Sequence, residues 1–339
     1  MVQPYDALLV VSFGGPEGPD DVMPFLENVL RGKNVPRQRM LEVAEHYQHF
    51  GGVSPINAQN RELIAALQTL LDEQGPHLPI YWGNRNWHPL LVDTIRQMAR
   101  DGIRRSLAFV TSAFSSYSGC RQYREDIQRA CQQVGPSAPA IDKLRVFFNH
   151  PGFIQAVVDS IKDARRQLPA PQSQGTPIVF TAHSLPLAMA ETSNYESQLR
   201  QACGLVAEAL GNPPWQLAYQ SRSGPPSQPW LEPDICDVLE KLAHEGDIET
   251  VIVQPIGFLS DHMEVLFDLD TEAKALCDQR GLKMIRAKTV GTHPAFMQMI
   301  RQLILERTSD APRQSVGDLP AGHDICPTDC CLPPPRPGR

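Results

Sequence analysis

Two short stretches carry side chains of the kind that move protons and bind metal ions. The first is "PIVFTAHSLP", residues 177–186. Ile178, Val179 and Phe180 are consecutive strand formers, the pattern of a strand buried on both faces. The run stops on His183, so a buried strand delivers an imidazole at its C-terminal tip. The second is "LSDHMEVLFDLDTEA", residues 259–273, which follows the apolar run "TVIVQPIGF". Ser260 or Asp261 suits the N-cap of a helix. Asp261, Glu264, Asp268 and Glu272 then recur at spacings of three, four and four, one face of that helix.

Each feature has a plain structural reading. A lone histidine can cap a loop. A helix N-terminus favours acids, which accounts for Asp261 and partly for Glu264. It gives no reason for Asp268 and Glu272, which lie beyond the first turn. Like charges stacked along one face repel, so the row needs cations or water to offset it. An imidazole nitrogen beside carboxylate oxygens suits Fe²⁺ or another borderline divalent ion. Too few ligands are visible for a tight structural site; the pattern fits a weak site that takes up a metal and releases it.

The elements that position these residues follow from alternating patterns. "DALLVVSFGG" (6–15), "PIYWGN" (79–84) and "SLAFVTSAF" (106–114) are short apolar runs. Between them, "NRELIAALQTLLDEQG" (60–75) sets Leu63, Ile64, Leu67, Leu70 and Leu71 on one stripe, with Gly75 where a C-cap belongs. "HPLLVDTIRQMARDG" (88–102) opens on proline and closes on glycine. Further strands are expected at 177–182, 215–221, 250–258 and 283–290. This alternation predicts the α/β class: two similar Rossmann-like domains, each a parallel sheet flanked by helices, with an active-site cleft between them. "DALLVVSFGGP" aligns loosely with "TPIVFTAHSLP", and "LAFVTSAFSS" with "VIVQPIGFLS". The expected divisions are an N-terminal α/β domain over 1–145, a C-terminal one over 146–308 and a Pro/Cys-rich tail over 309–339. The tail lacks periodicity and is expected not to pack. Ligands of such sheets bind at the C-terminal ends of strands, where His183 stands.

The 339 residues carry a net charge of −7 and no lysine/arginine block, which argues against nucleic acid. No stretch matches a signal peptide or a membrane span, so a cytoplasmic protein is expected. "SFGGPEGP" is not a dinucleotide fingerprint, and neither a G-x-S-x-G elbow nor a P-loop is present. Of eight cysteines, five are scattered singly, as small buried hydrophobes usually are. Cys326, Cys330 and Cys331 crowd into "CPTDCC", a grouping that in a reducing compartment reads as a metal site.

"FTAHSLP" and "PIGFLSDHMEVLFDLD" together resemble the two signature segments of ferrochelatases. The resemblance extends through "LLVVSFGGP", "HYQHFGGVSPIN" (46–57), "YWGNRNWHP" (81–89) and "TSAFSSYSGCRQYRED" (111–126), in the family's order. It is greatest to bacterial coproporphyrin III ferrochelatases of the actinobacterial type. It implies a lyase-class chelatase that inserts Fe²⁺ into coproporphyrin III in heme biosynthesis and hands the product to the next pathway enzyme. His183 and Glu264 match the pair facing the porphyrin centre. Asp268 and Glu272 match an acidic ridge that guides metal inward. Ser54 and Tyr123 match residues that hold propionates, and Arg31 and Tyr47 match further contacts there. Phe13 stands where some relatives have a metal-touching tyrosine; a phenyl ring cannot ligate but can stack on the macrocycle. Some relatives hold a 2Fe–2S cluster with three C-terminal cysteines, which Cys326, Cys330 and Cys331 match. The internal fourth ligand of those relatives falls here on Ala156, so Cys203 or another single cysteine has to replace it. Protoporphyrin IX ferrochelatase, cobalt chelatase and a non-enzymatic tetrapyrrole or metal carrier are the competing readings.

Overall fold

The computed structural model describes residues 5–32, 35–169, 175–224 and 227–334. They form two compact units. Residues up to 111, with 123–144 and 300–311, make one; residues 112–122, 145–299 and those from 312 on make the other.

The first unit holds strands β1 (Ala7–Ser12), β2 (Ile80–Asn84), β3 (Arg105–Val110) and β4 (Ala140–Lys143). They pair in parallel in the order β2-β1-β3-β4. The second holds β5 (Ile178–His183), β6 (Trp215–Gln220), β7 (Thr250–Gln254) and β8 (Lys283–Arg286), parallel in the order β6-β5-β7-β8. The two orders are the same. β5 stands where β1 stands and β7 where β3 stands, which is the correspondence the sequence alignment proposes. β4 has no counterpart among the expected strands: "AIDK" is short, and none of its residues is buried.

Helices cover the sheets: α1 (Val22–Val29), α2 (Arg37–His49), α3 (Ile56–Gln74), α4 (Leu91–Arg100), α5 (Gln122–Val134), α6 (Pro151–Arg165), α7 (Tyr195–Ala209), α8 (Ile235–His244), α9 (263–280) and α10 (Pro294–Thr308). The leucine stripe of α3 buries Leu63, Leu67 and Leu71. The helix ends at Gly75, whose φ of 62° any Cβ would disfavour. In the first unit, Ala7, Leu9 and Val11 of β1 meet Ile95, Met98 and Ile127 from α4 and α5. In the second, Val179, Val251 and Val253 pack against Val238 and Leu239 of α8 and Val265 and Leu269 of α9.

Two stretches coil more widely than an α-helix. Tyr117–Arg121 and Leu266–Ala273, the centre of α9, are π-helical. The spacing of the acids predicts an ordinary α-helix for the latter. Its residues explain the wider turn. Val265, Leu269 and Ala273 are wholly buried at a strict spacing of four, and so are spaced the acids one residue earlier, Glu264, Asp268 and Glu272. On an α-helix of 3.6 residues per turn a spacing of four drifts around the axis; a wider turn reduces the drift. Each buried Val or Leu favours that register by roughly 1.5–3 kcal/mol.

The tail departs from expectation. Residues 309–334 form no helix or strand, yet side chains of the second unit hold them. Arg145, 2% exposed, donates to the Gln314 carbonyl at 2.7 Å. The Asn149 side chain donates to the Leu319 carbonyl at 2.8 Å, and the Asn149 backbone carbonyl accepts from Val316 N–H at 2.9 Å. Thr192 donates to the Leu332 carbonyl and Arg121 to those of Thr328 and Cys330. This order rests on backbone carbonyls captured by side chains, a pattern without periodicity. Arg145→Met combined with Asn149→Ala is expected to release the tail, costing on the order of 1–3 kcal/mol of stability. Limited proteolysis with mass analysis checks this: cleavage within 312–330 should precede any other cut in the variant and not in the parent. A tail equally resistant in both would show that these two side chains do not hold it.

Candidate active site

In the second sheet the chain order reverses between β5 and β7, the point at which open parallel sheets bind ligands, beyond their C-terminal ends. His183 is the last residue of β5, paired in register with Gln220 of β6. The loop after β7 runs hard against β5. Gly257 N–H donates to the Thr181 carbonyl at 3.0 Å, and a Cβ at Gly257 would lie 2.7 Å from the Ala182 Cα. Only glycine allows that approach, which brings α9 up beside His183.

The His183 Nε2 lies 3.7 Å from Glu264 Oε1, an ion-pair distance longer than a direct hydrogen bond. Both tips stay accessible, at 33% and 46% of their side-chain surface. The Nδ1 edge faces the Ser184 carbonyl. A carbonyl only accepts, so Nδ1 keeps its proton and Nε2 is the edge that exchanges one. The backbone behind the ring is fixed by Tyr195, whose buried hydroxyl donates to the His183 carbonyl at 3.0 Å.

Burial opposes a charge on His183. The Glu264 carboxylate, the Ser184 carbonyl and Asp268 outweigh it, and the pKa rises to about 9. Burial alone would raise Glu264 as well, but His183 and then His262 hold it down to about 2. At neutral pH the two therefore share one proton as imidazolium and carboxylate. Asp268 behaves differently. Burial lifts it, Ser221 and Gln220 donate hydrogen bonds that pull it back, and the charges of Glu264 and Glu272 push it up again, to about 7. Burial, then Asp234, raises Glu272 too.

The acidic row has three members in place of four. Asp261 turns to Arg286, at 2.9 Å, and Arg286 also engages Asp270. Nor does Asp261 or Ser260 cap α9: His262 does, accepting from Glu264 N–H through Nδ1 at 3.2 Å. Burial holds the His262 pKa below its usual value. Gln220 joins the row from β6, its Nε2 donating at 3.2 Å both to the Glu264 carbonyl and to Asp268 Oδ2. Ser221 donates to the same Oδ2 from a left-handed backbone at φ 63°, a conformation costly for a residue with a Cβ. Gln220 and Ser221 end a strand as His183 does, so the strand-end rule could have found them. Tyr195 and His262 carried no such signal. Among the described residues no three His, Cys, Asp or Glu side chains converge on a single metal ion.

The residues expected to contact the porphyrin outside this row belong to the first unit. Phe13 follows β1 directly, is 37% exposed and meets the edge of Phe25 at 6.2 Å. Tyr47 of α2 packs on the same Phe25 at 5.8 Å. Ser54 is buried, its N–H on the Pro16 carbonyl. Arg31 is exposed beyond the end of α1. Tyr123 is 5% exposed beneath Arg85, whose guanidinium lies 4.4 Å from its ring and 5.9 Å from that of Phe13. Arg85 is in turn paired with Asp126. The quoted segment "YWGNRNWHP" contains Arg85, but a charge in a polar turn gives no sign of such stacking. Four of the exposed large apolar side chains, Phe13, Val35, Leu41 and Val53, fall within residues 13–53.

The chain matches the family described as ferrochelatase over residues 5–308. It is 60% identical to the ferrochelatase of Rhodopirellula baltica, across 98% of this chain and 95% of that one. It is 51% identical to the coproporphyrin III ferrochelatase of Streptomyces coelicolor, across 97% and 93%. SirB from Bacillus subtilis, solved with Fe³⁺, shares the fold at a TM-score of 0.56 and 10% identity, covering 91% of this chain and 97% of SirB. With a family match that runs from ahead of β1 to the last residue of α10, the chain belongs to the ferrochelatase family and is a metal chelatase.

Proposed function

We propose that this chelatase inserts Fe²⁺ into coproporphyrin III in heme biosynthesis, with His183 and Glu264 as the acid–base pair. The observation that carries the reading is the His183–Glu264 pair itself, 3.7 Å apart at the switch point of the second sheet. The choice of coproporphyrin III draws on relatives with that substrate in their names, at about half identity over nearly the whole chain. Arg31 and Tyr47 add polar side chains suited to propionates, with Arg31 the strongest carboxylate partner; Ser54, 4% exposed, offers little surface. Tyr123 is too buried to offer much surface itself. Phe13 would stack on the macrocycle. Among the described residues no helix is long and apolar enough to cross a membrane, and a cytoplasmic site of action is part of the proposal.

Metallation strips water from Fe²⁺ and removes the pyrrole protons, which a flat ring resists. Bending the macrocycle exposes a lone pair, with the strain drawn from binding its faces and propionates. A histidine that already holds a proton is a poor base. The pair resolves this by charge. A dication reaching Glu264 repels the imidazolium proton, so Nε2 becomes a base as the metal arrives. Asp268, one turn along and titrating close to neutrality, is suited to receive what His183 gives up. Glu272, farther along the same row, would serve as the outer step for metal or protons. The tail, in the same proposal, holds a 2Fe–2S cluster through Cys326, Cys330, Cys331 and one internal cysteine; such a cluster, when bound, supplies four iron–thiolate bonds that tie the tail to its anchor.

His183→Ala is expected to lower iron insertion by on the order of 10²-fold or more while porphyrin binding persists. Anaerobic turnover followed by absorbance, with porphyrin fluorescence for binding, tests it; near-normal turnover rules out the role. Removing the Glu264 charge should lower the His183 pKa. In Glu264→Gln the midpoint of the ring C–H signals by NMR is expected to fall from about 9 by more than one unit, toward the ordinary ~6.5. A midpoint that stays put would mean that another group holds the proton. In competition, coproporphyrin III should be metallated ahead of protoporphyrin IX by on the order of tenfold; the opposite preference would reassign the substrate.

A further inference from the structure

The fourth thiolate of the proposed cluster is missing where the sequence comparison places it. Ala156 lies inside α6, wholly buried, and offers no donor. Cys203, the substitute suggested by sequence, is also wholly buried, within α7. Burial pushes its thiol pKa up. The charged side chain near it is Arg200.

A different cysteine meets the tail. The Cys331 thiol is 3% exposed and lies beside the thiols of Cys120 and Cys330. The Cys330 and Cys331 sulfurs are 3.5 Å apart. Cys120 itself is 4% exposed. It sits in the π-helical turn Tyr117–Arg121, where both Cys120 N–H and Arg121 N–H donate to the Ser116 carbonyl, at 3.0 and 3.2 Å. Such widened turns recur at functional sites. The neighbouring Arg121 donates to the carbonyls of Thr328 and Cys330 at 2.8 and 3.0 Å, which pins "CPTDCC" over this turn. Within the tail, Cys330 N–H donates to the Pro327 carbonyl at 3.2 Å. That turn lies between Cys326 and Cys330 in the chain.

We infer that Cys120 is the internal ligand and completes, with Cys326, Cys330 and Cys331, the thiolate set of a 2Fe–2S cluster. The inference rests on the cluster reading above and adds the residue. The donors are soft thiolates, as such clusters require. The thiols need not gather around one point, because two irons give them two anchors. Were an oxidised 2Fe–2S core delivered by a carrier, each of the four thiols would give up its proton and replace one carrier ligand on iron, with no change of oxidation state. The four thiolates would outweigh the charge of the core, and the Arg121 guanidinium, held on the Thr328 and Cys330 carbonyls, would offset part of the excess.

The test uses the full chain, purified anaerobically, with iron and acid-labile sulfide measured per chain, absorbance, and EPR after reduction. The parent should hold iron and sulfide in equal amounts. Cys120→Ala should lose them by on the order of tenfold or more, and Cys203→Ala should keep them. Cys120→Ser guards against a folding defect in the alanine variant. A ligated serine oxygen shifts the absorbance and EPR signals, whereas a serine that is no ligand leaves them as in the parent. Full cluster content with parental spectra in both Cys120 variants overturns the inference, and loss in Cys203→Ala would move the role there with the cluster reading intact. A parent without iron or sulfide overturns both.

Discussion

A parallel sheet gives all its strands one direction, and the chemistry of this protein depends on that constraint. Strands buried on both faces have no solvent-facing side on which to carry polar groups, so function collects where they end. β5 ends on His183, β6 on Gln220 and Ser221, and β7 in the loop that launches α9. Because the chain order reverses between β5 and β7, the crossovers there leave to opposite faces and open a gap at the strand ends. Gly257 lets the α9 loop close against β5. The acid row is then fixed by the other side of its own helix, where Val265, Leu269 and Ala273 are locked into the sheet's core.

Once placed, the charges cannot be considered singly. His183 and Glu264 raise and lower each other's proton affinity across 3.7 Å. The isolated value near ~6.5, from which a sequence reading starts, describes neither state of the pair. Asp268 shows the opposite balance. It gains hydrogen bonds from Ser221 and Gln220, yet burial and two neighbouring carboxylates keep its proton affinity high. One helix thus presents successive carboxyl groups with different proton affinities. The difference comes from a cationic partner on β5 for Glu264 and from burial among other carboxylates for Asp268, not from the acids themselves.

Much of this was legible beforehand. Seven of the eight strands announced themselves as apolar runs, and the two halves aligned on strands that prove topologically equivalent. His183 and Glu264 were found because a strand end and a charge row are local patterns. What escaped notice was set by tertiary partners. β4 lacks an apolar run. The Arg286 that draws Asp261 out of the row comes from β8, and the tyrosine behind His183 comes from α7. Arg85 reads as a turn residue until Phe13 and Tyr123 are set on its two sides.

The tail makes the same point through the backbone. Periodicity reports burial of side chains by regular elements, so a segment without it looks unfolded. Here regularity is replaced by capture: Arg145, Asn149, Arg121 and Thr192 each take a carbonyl of the tail. A buried arginine with such a partner is stable only while the partner stays, since a lone charge in the interior is costly. The tail and its anchor therefore stabilise each other, and the chain's last cysteines are carried to a buried thiol in the π turn. Composition alone placed three cysteines close together; only the path of the backbone brings one of them against a fourth, Cys120, more than two hundred residues away.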